Sequence, residues 1–171
     1  MFNAPNLVLE NLLNLEVDPN LVIFEEKPPE QPKVDDRPYA EKLKDREWRL
    51  ENLYFITDKD GVVMKFKLKP AQRYLLRHLH TRNIILKARQ LGMSTFIAIL
   101  FLDECLFNPN ISAAIVADKI ENGKNIFRKI DFAWKKFSED LKVAKGLSST
   151  SDSSTEIAWS NGSSMKVGTT L

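Results

Sequence analysis

Residues 83–107 constrain the fold of this chain more than any other stretch. They begin with a short apolar run, 83–86, which has the length and composition of one buried parallel strand. A glycine-containing turn follows, and then a helical stretch at 96–107 that Asn108 and Pro109 end. This order is the layout of a phosphate-binding loop, since a helix N-terminus offers unpaired N–H groups and a positive dipole end to an anion.

The turn departs from the standard pattern G-x-x-x-x-G-K-[ST]. When Gly92 and Ser94 are aligned with its last glycine and its Ser/Thr, Lys87 stands at the first glycine and Met93 at the lysine. Phosphoryl transfer needs positive charge on the β- and γ-phosphate oxygens, so another cation must replace the missing lysine. We favour Arg89, which lies within the turn, and Lys87 at the strand end can share the task.

Other residues of the turn suit the same chemistry. Gly92 lets the backbone approach a phosphate closely, and the hydroxyl of Ser94 or Thr95 can bind a magnesium ion. An ordinary strand–helix turn with a surface arginine explains the same residues. The turn taken alone does not decide between these two interpretations.

Composition and charge indicate one soluble domain with an uneven charge distribution. A chain of 171 residues is long enough to bury a core. Residues 1–50 have a net charge of −4 and residues 51–171 one of +6, which suits a nucleotide or nucleic acid as partner. Cys105 is the only cysteine, so no internal disulfide can form and a reducing compartment is expected. The chain has no apolar run of membrane-spanning length and no signal peptide at its acidic start, so we expect a soluble, unexported protein.

We divide the chain at residue 50. In the first part, residues 5–17 are predicted as an amphipathic helix, 25–38 as a proline-rich linker and 39–50 as a charged, mostly solvated helix. In the second part, Asp60 and Gly61 lie between two β-rich runs and predict a hairpin over 53–68. Its alternating lysines either follow a phosphate backbone or form the wet face of a sheet.

The rest of the second part alternates helices and strands. Pro70 is expected to start a helix. A buried-type strand is predicted at 111–117, a helix with a core-facing aromatic stripe at 120–137 and a serine-rich loop at 146–154. The dipeptide Asn-Gly predicts a second hairpin over 156–168. The order predicts an α/β domain with a parallel sheet of the P-loop NTPase type, flanked by helices, and with the phosphate loop at the carboxyl edge of the sheet.

One segment imitates a second nucleotide-binding element. P-loop ATPases need an aliphatic strand that ends in acidic residues, which hold magnesium and activate water. Residues 99–104 match this pattern in sequence. Asp103, however, lies nine residues after Ser94, whereas a second parallel strand requires a crossover of about a dozen residues or more. We therefore place Asp103 and Glu104 on the helix of the loop itself, and we find no other candidate for the catalytic carboxylates.

Residues 87–95 resemble the Walker A variant of the large terminase subunits of tailed bacteriophages, the motors that package DNA. That loop often reads R-Q-x-G-x-[ST], which makes Arg89 the expected phosphate contact. A glutamine on the preceding helix contacts adenine in that family, and Gln72, twenty residues before Gly92, matches it. The resemblance covers about residues 50–171, includes both hairpins and departs from the family at Met93.

The resemblance implies the nucleotide-binding part of a P-loop ATPase that uses ATP and Mg²⁺. Family members continue into an acidic strand and a nuclease domain, so we expect part of a longer reading frame that is inactive alone. The whole protein would move double-stranded DNA into procapsids, as a ring of subunits with portal protein and small terminase subunit, in the host cytoplasm and away from membranes. The resemblance places these residues at the nucleotide, with Ser94 on the metal: Gln72, Lys87, Arg89, Gln90, Gly92, Met93, Ser94 and Thr95.

Two alternatives stay open at this point. A helicase or recombination ATPase also has a glutamine before its loop, but it needs the lysine that Met93 replaces. A small α/β module whose basic hairpin binds nucleic acid would have an inert loop and no enzymatic activity.

Overall fold

The structure, a computed structural model, describes residues 35–58, 60–86 and 91–169. Helices and strands are interspersed along this part of the chain. The elements are α1 (Tyr39–Lys42), α2 (Arg46–Leu53), β1 (Phe55–Thr57), β2 (Val63–Lys65), α3 (Pro70–Arg77), α4 (Met93–Phe107), β3 (Ser112–Ala117), α5 (Ile120–Lys135), α6 (Glu139–Lys145), β4 (Ser149–Asp152), β5 (Glu156–Trp159) and β6 (Ser164–Thr169). The α/β class is confirmed. The predicted helix at 5–17 and all but the last residues of the predicted linker lie outside the described residues.

The larger sheet is mixed. Its order is β3-β6-β5-β4, and of its pairs only β3 with β6 is parallel. The second predicted hairpin, over residues 156–168, is confirmed. Its strands β5 and β6 pair antiparallel across a turn in which Gly162 has φ 80°. The serine-rich segment predicted as a loop contains β4 instead, because the edge of β5 supplies a hydrogen-bonding partner that serine content does not reveal.

The predicted strand at 83–86 is wrong. These residues belong to neither described sheet, and the side chains of Ile84 and Leu86 are fully exposed. A strand requires a neighbour that completes its backbone hydrogen bonds, and no described strand pairs with this run. A cavity of about 260 Å³ is lined on one side by Ile85 and on another by Ile115 and Val116 of β3.

β3 itself forms as predicted but lies at the edge of the sheet. It pairs with β6 and with no other described strand. Alternate residues of β3 are exposed, Val116 to 63%. The expectation of a fully buried strand was therefore wrong, since it assumed neighbours on both sides.

The core is built around α4. This helix is apolar on every side and buries Phe96, Ile99, Leu102 and Leu106, as expected of a helix surrounded by other elements. The predicted aromatic stripe of α5 is confirmed as core: Trp134 packs edge-to-face on Trp159 of β5 with ring centroids 5.8 Å apart. Each such buried side chain contributes about 1.5–3 kcal/mol of transfer free energy.

Two short helices and a hairpin precede α3 and α4. The predicted first hairpin is confirmed as β1 and β2, which pair antiparallel through Phe55–Lys65 to Thr57–Val63. The segment predicted as one mostly solvated helix forms α1 and α2, and α2 spans residue 50 and buries Arg49, Leu50 and Leu53. Asp103 and Glu104 lie on α4, as predicted. Of the helices described, not one has the length and apolar character needed to cross a membrane.

Candidate phosphate-binding site

Gly92 sets the start of α4. It is the N-cap residue, with φ 70° and ψ 13°, in the left-handed region that costs other L-residues about 1–2 kcal/mol. The helix begins at Met93, three residues earlier than the predicted Phe96. Ser94 and Thr95 therefore lie in the first helical turn.

The first turn of α4 is suited to an anion. It contains no acidic side chain, and no side chain of the described residues caps it through a hydrogen bond. The N–H groups of a first turn have no partners within the helix, and the dipole makes this end positive. An anion at this position would satisfy those groups in place of a capping side chain.

Gln72 lies directly beside Gly92. It is 2% exposed, and its Nε2 donates a hydrogen bond of 3.1 Å to the backbone carbonyl of Leu91. A Cβ atom added to Gly92 would lie 3.2 Å from the same Nε2. The structure therefore brings together two of the predicted site residues that are twenty positions apart in the chain.

The start of α3 explains the position of Gln72. Pro70 is the first residue of α3, as predicted, and its fixed φ favours a helix start. Gln72 Oε1 accepts a hydrogen bond of 3.0 Å from the backbone N–H of Lys69, which holds the side chain back against the helix start. The carboxamide thus joins α3 to the end of the loop.

Met93 and Ser94 line the same cavity but differ in exposure. Met93, at the position of the standard lysine, is 6% exposed and lines the apolar cavity with Ile85 and Ile97. Its side chain supplies packing and no charge, so only its backbone can contact a phosphate. Ser94 is exposed, with its hydroxyl available at the first turn.

Thr95 contacts a cation that the sequence analysis did not place at the site. Lys129 Nζ donates a hydrogen bond of 2.9 Å to Thr95 Oγ1. Lys129 belongs to the basic, exposed face of α5, which sequence reasoning reads as ordinary solvated helix. No local signal connects residues 34 positions apart; only the packing of α5 on α4 brings them together.

Three predicted contacts, Lys87, Arg89 and Gln90, lie outside the described residues. Their roles at a phosphate stay predictions.

A magnesium site would depend on the nucleotide. The described residues contain no group of three or more His, Cys, Asp or Glu side chains that could hold a metal ion. Magnesium commonly keeps several waters and takes the rest of its ligands from phosphates and one or two protein oxygens. The exposed hydroxyl of Ser94 fits that arrangement.

Comparisons with known proteins give no relative from which a function could be inferred, so the function is argued from the residues of the site. No protein-family model matches the chain, and no curated protein matches it either.

Proposed function

We propose that this chain is the nucleotide-binding part of a viral DNA-packaging terminase large subunit and binds ATP with Mg²⁺ at the N-terminus of α4. The observation that carries the proposal is the hydrogen bond from Gln72 to Leu91, because it joins the expected adenine-contacting glutamine to the phosphate loop. The left-handed Gly92 supports it, as does a first turn of α4 that has no acidic residue and that no described side chain caps.

The roles follow from chemistry and position. Arg89, with Lys87, would neutralise phosphate oxygens, as required when the lysine position holds Met93. The backbone N–H groups that follow Gly92 would donate to the same oxygens. Gln72 would contact adenine, and Ser94 would bind Mg²⁺, which supplies charge neutralisation when it is bound.

The full motor activity belongs to the same proposal. By resemblance, the whole protein would act in a ring with portal protein and small terminase subunit to drive double-stranded DNA into a procapsid. The finer fold assignment, a P-loop NTPase sheet, is proposed with it. Asp103 is engaged in the core by Arg49 and Tyr54, so it does not replace the missing catalytic carboxylate. We therefore expect nucleotide binding without turnover.

Calorimetric titration with ATP and Mg²⁺ tests the proposal. Arg89→Ala should weaken binding about tenfold or more, because a hydrogen bond to a charged group contributes about 1.5–3 kcal/mol. Lys136→Ala removes an equal charge from an exposed position at the end of α5 and serves as the matched control. If the wild-type chain does not bind ATP, or if Arg89→Ala leaves the affinity unchanged, the loop is inert and the proposal is wrong.

Hydrolysis gives an independent check. Single-turnover assays with the isolated chain should show no ATP cleavage above the rate in buffer. A rate typical of a complete motor ATPase would contradict the absence of the carboxylates and favour a different ATPase class.

A further inference from the structure

The contact between Lys129 and Thr95 places a cation at the first turn of α4. Lys129 donates one hydrogen bond, at 2.9 Å, to Thr95 Oγ1. An ammonium group has three N–H donors, so two are left. No carboxylate of the described residues forms an ion pair with Lys129, whereas Lys135 on the same helix pairs with Asp131 at 2.7 Å.

Among the described residues, no carboxylate is paired with this charge. The first turn of α4 has no acidic side chain, and its dipole adds positive potential at the same place. Two sources of positive charge, from α4 and from α5, therefore meet at Thr95. Such a meeting is unfavourable unless water, salt or an anionic ligand screens it.

Given the proposed nucleotide site, on which this inference rests, we propose that Lys129 is a phosphate-contacting residue that supplies from α5 a cation that Met93 does not. An anion held by the N–H groups of the first turn lies about 3 Å from those nitrogens. Thr95 belongs to that turn, and the flexible four-carbon stem of Lys129 would let its ammonium group donate to the anion as well. The contact joins α5 to the nucleotide and favours ligands with more phosphate groups.

The substrate class follows from this geometry. A contact to phosphate strengthens binding in proportion to the negative charge near it and does nothing for the base or the sugar. Lys129 should therefore contribute most to ATP, less to ADP and least to AMP, while Gln72 should contribute similarly to all three.

Calorimetric titrations of ATP, ADP and AMP in the presence of Mg²⁺ test the inference. Lys129→Gln should weaken ATP binding about tenfold and AMP binding less than about threefold, in line with the loss of one hydrogen bond to a charged group. Lys129→Arg should restore most of the ATP affinity. Lys136→Gln is the control, because it removes the same charge from an exposed position of the same region.

The outcomes separate this inference from the proposed function. If the wild-type chain binds ATP and Lys129→Gln behaves like Lys136→Gln, Lys129 has no phosphate contact and the nucleotide site stands. If Lys129→Gln weakens ATP and AMP binding equally, the residue acts on the fold and the inference is also wrong. If the wild-type chain binds no ATP, both proposals fail. Circular dichroism of each variant confirms that the exposed substitution leaves the fold intact.

Discussion

Arg49 and Asp103 form a buried ion pair that joins α2 to α4. Arg49 Nε donates to Asp103 Oδ1 at 3.0 Å and Nη2 donates to Oδ2 at 2.7 Å. Tyr54 Oη donates to Oδ1 at 2.8 Å, and the Asp103 side chain is 0% exposed. The guanidinium also lies 4.2 Å from the ring centre of Phe107. The segment before the first hairpin is thereby tied to the helix that starts at the candidate site.

Removal of the carboxylate should be the most damaging single change in this network. Asp103→Ala leaves the buried Arg49 charge without its carboxylate partner, which typically costs about 3–5 kcal/mol of unfolding free energy. Tyr54→Phe removes one hydrogen bond and should cost about 1–2 kcal/mol. Urea denaturation of both variants measures the difference. A smaller loss for Asp103→Ala than for Tyr54→Phe would show that the ion pair is not a significant source of stability.

Elements with local signals could be predicted from the sequence. Pro70 starts α3, and the Asn-Gly dipeptide forms the turn between β5 and β6, because each depends on the backbone preference of one or two residues. In the first hairpin, Asp58 Oδ1 accepts hydrogen bonds from Asp60 N and Val62 N, both at 2.9 Å. The turn is therefore stabilised by contacts among its own residues.

Features that depend on distant partners could not be predicted in the same way. The run 83–86 is apolar enough for a strand but has no described strand to pair with, while the serine-rich β4 has one in β5. Asp103 was placed on its helix correctly, but its partner Arg49 lies 54 positions away. The resemblance named Gln72 and Gly92, which the structure places side by side, whereas the contact of Lys129 with Thr95 becomes visible only once α5 packs on α4.

The packing of α5 on β6 depends on Gly123. A Cβ atom at this position would lie 2.8 Å from Val167 Cγ1, closer than packed carbon atoms approach. Gly123→Ala gains about 1 kcal/mol of helix propensity. We expect the overpacking, which typically costs about 1–3 kcal/mol, to outweigh this gain and to leave a net loss of up to about 2 kcal/mol.

A double-mutant cycle checks this expectation. Val167→Ala should cost less in the Gly123→Ala background than in the wild type, with a coupling above about 0.5 kcal/mol. Gly168→Ala is the control for adding a methyl group without a clash. It lies on β6 beside Val167, and its added Cβ would meet no atom within 4 Å. Strict additivity of the two changes would contradict the contact.

The Cys105 thiol should react only when the chain opens. It is 0% exposed, and burial raises its pKa from 9.0 to about 11. At pH 8 a disulfide reagent should modify the folded protein far more slowly than the protein in denaturant, because the thiolate is the reactive form. Rapid modification of the folded chain would contradict the burial of this side chain.

The same pKa shift predicts a loss of stability at alkaline pH. Between about pH 9 and 11 the unfolded thiol ionises while the folded thiol stays protonated, so the stabilisation present below pH 9 is lost as pH rises. Burial also raises the pKa of Tyr54 well above its usual range, which acts in the same direction. Urea midpoints at pH 7.5 and 10.5 measure the loss, and Cys105→Ala should show a smaller one.

Gly92→Ala should separate backbone strain from the contact with Gln72. Alanine at φ 70° costs about 1–2 kcal/mol, and its Cβ would lie 3.2 Å from Gln72 Nε2, so the amide must shift slightly. Gly146→Ala is the matched control: it has φ 62° at the end of α6, with no atom within 4 Å of an added Cβ. Both variants should lose similar backbone stability in urea denaturation, but only Gly92→Ala should also weaken ATP binding. If Gly146→Ala weakens ATP binding equally, the effect comes from general destabilisation and the Gln72–Gly92 contact has no part in the site.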